Sequence, residues 1–303
     1  METIKYNAIR ADDILKIASS ISHWCTQLSV AIIDLTTHTP EMFGVNIDQF
    51  MYPASCYKIF IGAEVLRQIE TGKLSLYQKI KVESPNDVDT DPLLFSGDPR
   101  SLLLAGDTVT IEYLLDLMLT RSDNTASNCL IDLVGRESIN TNIIDRYGWQ
   151  GSEVTRKFLD RTKEDEPYRS AKSTMSCTRH LAEFFFLVEN SKLISRFVSE
   201  KLQYYMFRTR GGRAGLNLKE YDSFYRKGGW FENNLWKQDH ALAAKNLEEK
   251  GWAVIRWDND AGVVWKNSIH YVVAMMSLTK MRSDNDYFDT EALAKKILAY
   301  MKK

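Results

Sequence analysis

The sequence predicts an α+β fold: an antiparallel five-stranded sheet flanked by helices, with an all-helical subdomain inserted between its strands. Three observations carry this. Strand-like runs fall near the two ends of the chain, the middle has helical periodicity, and an amphipathic helix stands at each end. The expected division places residues 1–48 and 215–303 in a discontinuous α/β subdomain and 49–214 in the helical one. With 303 residues, 44% of them hydrophobic, the chain can bury a core of that size.

Taken in order, residues 11–24 carry Ile14, Leu15, Ile17, Ala18 and Ile21 at helical spacing, with Asp12 as the expected cap. Residues 28–35 read as a buried strand, Thr36 to Pro40 as a turn, and 42–47 as the second strand of a hairpin. Pro53 and Gly72 bracket a helix over 55–70. Residues 81–105 read as loop, and helices follow over 111–119, 124–133, 178–188 and 193–207. A polar segment, 157–173, interrupts them, and Arg210-Gly211-Gly212-Arg213 reads as a loop. Strands return over 223–226, 262–266 and 271–278, and a last helix covers 290–301.

A net charge of -1 gives no reason to expect nucleic acid. No run approaches the roughly 20 apolar residues of a membrane span. The first residues lack the apolar core of a secretory signal, which leaves open both a processed, exported chain and one that stays in the cytoplasm. Cys25, Cys56, Cys129 and Cys177 form no C-x-x-C pair and read as free thiols. The histidines His23, His38, His180, His240 and His270 have no ligand spacing, so neither metal nor cofactor is expected. A monomer is the default.

Three short motifs carry chemistry. In Ser55-Cys56-Tyr57-Lys58, serine and lysine share one helix face, so the amine can act as base toward a hydroxyl that is otherwise a poor nucleophile. Ser122-Asp123-Asn124 falls between two predicted helices, where its hydroxyl can relay a proton and its amide can hold a partner. Lys227-Gly228-Gly229 ends a predicted strand, with a cation for an anionic substrate and glycines that admit close backbone approach. Each alone is weak. Ser277 to Lys280 repeats the first spacing on a predicted strand, and Ser283-Asp284-Asn285 repeats the second as an expected helix cap.

Together, in this order and on these elements, the motifs resemble those of the serine β-lactamase and penicillin-binding protein superfamily, class A β-lactamases in particular. Tyr52-Pro53-Ala54-Ser55, Gly72 to Leu76, Gly106 to Thr110, Arg121 to Asn128 and Asn259 to Val264 extend the likeness over most of the chain. The resemblance implies a β-lactamase/transpeptidase-like fold and an acyl-enzyme on Ser55, with Lys58 as the base or the group that helps set it and Ser122 as proton shuttle. It also implies that Asn124 positions Lys58 and substrate, that Lys227 draws a substrate carboxylate, and that substrate lies along the strand edge at Gly228 and Gly229. The backbone N–H groups of Ser55 and Trp230 would form the oxyanion hole.

Three departures stand out. Gly228 replaces the usual hydroxyl residue. Residues 230–257 read as an insertion holding Trp230, Phe231, Trp236, Trp252 and a helix near 240–250, either a lid or a surface appendage. The deacylating glutamate that follows Leu-Asp-Arg in class A enzymes aligns directly with Lys163 after Leu159-Asp160-Arg161; a one-residue shift makes Glu164 the candidate. The expected function is therefore a class A-like β-lactamase. The alternatives are a DD-peptidase or penicillin-binding amidase or esterase with slow deacylation, and a non-hydrolytic sensor. The substrate would be a β-lactam or cell-wall peptide, and the compartment the resemblance implies is periplasmic or extracellular.

Overall fold

The computed structural model describes residues 4–21, 25–91, 93–209, 216, 219–283 and 290–303. The 210–213 loop, the end of the first helix with His23 and Trp24, and Asp284 and Asn285 of the second Ser-Asp-Asn lie outside these. The elements run β1 (Lys5–Tyr6), α1 (Ala8–Ser19), β2 (Cys25–Asp34), β3 (Glu41–Val45), α2 (Lys58–Glu70), β4 (Lys79–Lys81), β5 (Thr108–Thr110), α3 (Ile111–Thr120), α4 (Asn124–Val134) and α5 (Arg136–Ile139). After them come α6 (Thr178–Glu189), α7 (Arg196–Met206), β6 (Ser223–Asn234), α8 (His240–Lys250), β7 (Val254–Lys266), β8 (Ile269–Met281) and α9 (Thr290–Met301). The chain forms two compact units: Met1–Cys56, Ser176–Phe186 and Gly212–Lys303 make the first, and Tyr57–Met175 with Leu187–Gly211 the second.

In the first unit the sheet order is β1-β3-β2-β8-β7-β6. The five expected strands are antiparallel, and the two-residue β1 adds itself in parallel to β3. Ile14 and Ala18 of α1 and Leu293 and Ile297 of α9 pack with Val30, Ile32, Val273 and Met275 in one apolar core. The cap of α1 is Asn7, whose side chain accepts from Arg10 N at 3.1 Å; Asp12 falls inside the helix.

The largest correction concerns residues 230–257. The strands do not stop at the glycines: β6 and β7 pair from Ser223↔Trp265 through to Asn234↔Val254. Trp230, Phe231 and Trp257 are strand residues, and only the connection between the two strands, with α8, stands apart. It has a small core of its own, in which Ala243, Leu235 and Ala253 meet Trp236, Leu247 and Trp252. All four cysteines are free, Cys25 half-buried and the other three buried.

In the second unit α2 is the central helix, with Ile59, Ile61, Ala63, Val65 and Leu66 fully buried. At Gly62 an added Cβ would meet Leu119 of α3 and Leu202 of α7 at 3.3 Å, so the glycine lets both helices close on α2. Among the described residues no helix is long and apolar enough to cross a membrane.

Candidate active site

Lys58 opens α2 and its side chain is fully buried. Its Nζ donates to Ser122 O at 2.6 Å, to Asn124 Oδ1 at 2.7 Å and to Ser122 Oγ at 3.3 Å. The Ser-Asp-Asn tripeptide divides its labour. Asp123 is the helix cap, accepting from Ala126 N at 2.8 Å, while Ser122 and Asn124 on either side serve Lys58. Asp89, which the sequence did not single out, completes the group: Asn124 donates to it from its backbone N at 2.5 Å and from Nδ2 at 3.0 Å. That bond fixes which end of the Asn124 amide faces Lys58. Burial pushes the Asp89 carboxyl up, and the Asn124 donors and the Lys58 charge work against it.

The ring of Phe158 is the next neighbour. Its centroid is 4.2 Å from Lys58 Nζ, and it stacks on Tyr57 with centroids 4.9 Å apart. Asn128 clamps the Phe158 backbone from both sides, accepting from its N at 2.7 Å and donating to its O at 3.3 Å. Phe158 directly precedes Leu159-Asp160-Arg161, so it is the group this loop presents to Lys58.

The acids further along the loop go elsewhere. The Glu164 side chain is fully buried; it accepts from Arg136 Nη2 at 2.5 Å and from Lys157 N at 2.9 Å. Arg136 in turn lies over the Tyr168 ring, 3.8 Å from its centroid. Asp165 pairs with Lys157 at 3.0 Å, and Glu166 with Arg169 at 3.3 Å on the surface. Lys163 closes a short turn and is exposed.

In the first unit, Ser55 sits in the 3-10 turn Ala54–Tyr57. The edge strand β6 comes so close to it that a Cβ on Gly229 would lie 2.5 Å from Ser55 N, 2.7 Å from Cys56 N and 2.8 Å from Pro53 O. Only glycine fits there. Cys56 Sγ donates to Lys227 O at 3.3 Å, and burial pushes that thiol up to about 12, which keeps it neutral. Lys227 is buried, its Nζ donates to Gly228 O at 2.8 Å, and burial pulls its pKa down to about 8. Trp230, next along the strand, is about half exposed.

Each of the two motif serines is tied to a left-handed non-glycine residue: Ala54, just before Ser55, has φ 47°, and Ser122 itself has φ 64°. Such conformations cost on the order of 1–3 kcal/mol and persist only where the surrounding structure over-determines them. The second unit thus brings Lys58, Ser122 and Asn124 together, and the first brings Ser55, Lys227, Gly228, Gly229 and Trp230 onto one turn and one strand edge. Glu164 belongs to a different cluster. The Ser277 spacing is a decoy: Ser277 Oγ donates to Asp258 O at 2.8 Å within the sheet, and Lys280 points to solvent. Among the described residues no cluster of three or more His, Cys, Asp or Glu is arranged for a metal.

A sheet backed by terminal helices and a helical unit that holds a lysine at the Ser-Asp-Asn turn define a β-lactamase/transpeptidase-like fold. The chain belongs to the beta-lactamase enzyme family, whose model matches residues 11–301. It is 30% identical over 135 residues to beta-lactamase VEB-1 of Pseudomonas aeruginosa, a match covering 44% of this chain and 43% of that protein. The match therefore spans less than half of that relative. In fold it is similar to a beta-lactamase from Sphaerobacter thermophilus, at a TM-score of 0.71 and 18% identity over 96% of this chain and 97% of that one. It is also similar to PBP-A, at a TM-score of 0.68 and 17% identity over the whole of both chains.

Proposed function

We propose that the chain is a serine hydrolase that opens a β-lactam amide through an acyl-enzyme on Ser55, as a class A-like β-lactamase. The observation that carries this is the buried Lys58, held by Ser122 and Asn124, at the start of the helix that Ser55 leads into. In this mechanism Ser55 Oγ attacks the carbonyl carbon and gives its proton to Lys58. The oxyanion is met by the N–H groups of Ser55 and Trp230; one such donor is worth ~3–4 kcal/mol in other enzymes. As the C–N bond breaks, Ser122 passes a proton to the leaving nitrogen. Lys227 receives the substrate carboxylate as a cation, and Gly228 offers no hydroxyl beside it. Water then cleaves the ester and frees Ser55.

The last step favours a second reading, a penicillin-binding or DD-peptidase type with a long-lived acyl-enzyme. Phe158 faces Lys58 with an aromatic ring that cannot activate water, and Glu164, the candidate base, is committed to Arg136 and Lys157 N. Antibiotic or cell-wall chemistry also implies action in the periplasm or outside the cell, on a small molecule or peptide; a monomer is the default. Nitrocefin turnover tests the two readings against each other. Sustained hydrolysis supports the β-lactamase, and a stoichiometric burst followed by near-arrest supports the penicillin-binding type. No colour change from active-site-intact protein would sink both.

A further inference from the structure

We propose that Asp89 is a positioning residue for the acylation step. By accepting both donors of Asn124, it fixes the amide orientation that presents an oxygen, and not an N–H, to Lys58. This rests on the acyl-serine reading and adds to it a residue outside the three motifs.

A carboxylate, an amide and an amine stand in series. The Asp89 oxygens accept from Asn124 N at 2.5 Å and from Asn124 Nδ2 at 3.0 Å, and Asn124 Oδ1 accepts from Lys58 Nζ at 2.7 Å. The two ends of an amide nearly match in shape, so packing alone barely distinguishes them. Chemistry does. An ionised carboxylate only accepts and an ammonium only donates. Turning the amide over would set oxygen against oxygen at Asp89 and N–H against N–H at Lys58.

Two features separate Asp89 from an ordinary helix cap. Helix α4 already has one: Asp123 accepts from Ala126 N at 2.8 Å and pairs with Arg121 at 2.8 Å. A second carboxylate, only 5% exposed, is then a cost to the fold, because burial and the Asp123 charge both disfavour its ionised form. The segment that carries it is also fastened to α4. Val88 N and Asp89 N donate to Thr125 Oγ1 at 3.1 and 3.2 Å, and Asn128 Nδ2 donates to Asn86 O at 3.3 Å. Asn86 Nδ2 donates to Asp132, the partner of Lys157, at 2.7 Å. The helix that offers Asn124 to Lys58 thus also holds the carboxylate that aims it. Lys58 and Asp123 are the charges that bear on Asp89, and Lys58 favours its ionised form. The attraction is mutual, so without Asp89 the Lys58 ammonium should give up its proton at lower pH.

The test is the pH dependence of acylation by p-nitrophenyl phenylacetate, a phenylacetyl ester with no carboxylate for Lys227 to meet. The second-order rate constant is read from nitrophenol release and the Ser55 adduct from intact mass. Wild type, Asp89→Asn and Thr125→Val are compared, each rate referred to the folded fraction from urea denaturation. Asp89→Asn keeps the shape but turns an NH2 group against one Asn124 donor. Its plateau rate should fall about tenfold or more, the scale for a misplaced reacting group. Its acid limb should move to lower pH by about half a unit or more. Thr125→Val keeps the carboxylate and loosens its backbone, so its plateau should fall about threefold with the limb in place. Where Asp89→Asn does not fold, the Thr125→Val rate decides. Benzylpenicillin, read below about pH 7 where Lys227 keeps its charge, should repeat the pattern. Wild-type rates in the folded variants, or an Asp89→Asn limb that stays in place, would make Asp89 a structural residue and overturn the proposal alone. Wild type labelled at Ser55 by neither donor overturns the acyl-serine reading and the proposal with it.

Discussion

Two of the basic side chains that the second unit buries, Lys58 and Arg136, are held in opposite ways. Lys58 is given a carbonyl, a hydroxyl, an amide oxygen and an aromatic ring. Arg136 is given a full carboxylate, Glu164, at 2.5 Å, with Lys157 N on the second oxygen and Tyr168 beneath. Carbonyl, hydroxyl and amide oxygens hold Lys58, with the Asp89 charge felt from behind Asn124, whereas Arg136 meets a carboxylate directly. A buried guanidinium–carboxylate pair locks the loop and leaves neither group available for chemistry. In the proposed mechanism the Lys58 cluster exchanges a proton, and the Arg136 cluster holds the loop.

The largest expected effect breaks the comparison at Lys58. Lys58→Ala should slow acylation by about 10³-fold or more, the range for losing a nucleophile's base, and leave a cooperatively folding protein. Arg136→Ala should do the opposite. It leaves the Glu164 carboxylate buried without its cation, a loss of ~3–5 kcal/mol read as a lower denaturation midpoint. Glu164→Gln should likewise lower stability, with adduct lifetime changed less than about threefold; a loss of deacylation near 10²-fold would show Glu164 to be the base after all.

Phe158→Glu sharpens the contrast by offering Lys58 a carboxylate. The Asn128 clamp holds the backbone of that position, so the new side chain enters beside Lys58. The adduct should decay about tenfold faster, followed as loss of acylated mass with time. The smallest effect is on pH. Lys227 titrates near 8, below the ordinary lysine, because burial disfavours its charge. It is a cation below that pH and loses its charge above it. The second-order acylation rate of carboxylate-bearing donors should therefore fall as pH rises through about 8, and an ester without a carboxylate should lack that limb. The stability sign is the reverse. Between about 8 and the ordinary value of 10.5 the unfolded lysine binds more proton than the folded one, so folding gains from rising pH there.

Ser55, Lys58, Ser122, Asn124 and Lys227 were legible as candidates because each motif is local, three or four residues long, and the helix starts and strand that carry it have clear signals. The partners were not. Asp89 reaches Asn124 from 35 positions away, out of a segment readable only as loop. Phe158 is one apolar residue among charged ones, and only the Asn128 clamp turns it toward Lys58. Glu164 looked available because an acidic run carries no sign of the arginine it meets 28 residues earlier. In sequence Gly228-Gly229 resembles a turn that would end the strand beginning at Ser223. In the fold those glycines answer the approach of Ser55, and the strand continues to Asn234.

The central claim is that Ser55 becomes acylated, and intact mass after incubation with benzylpenicillin, on wild type and Ser55→Ala side by side, tests it most directly. The account predicts one added penicilloyl mass on wild type and none on the variant. Equal labelling of both proteins would contradict it, as would wild type that stays unmodified while nitrocefin and the phenylacetyl ester also leave it untouched.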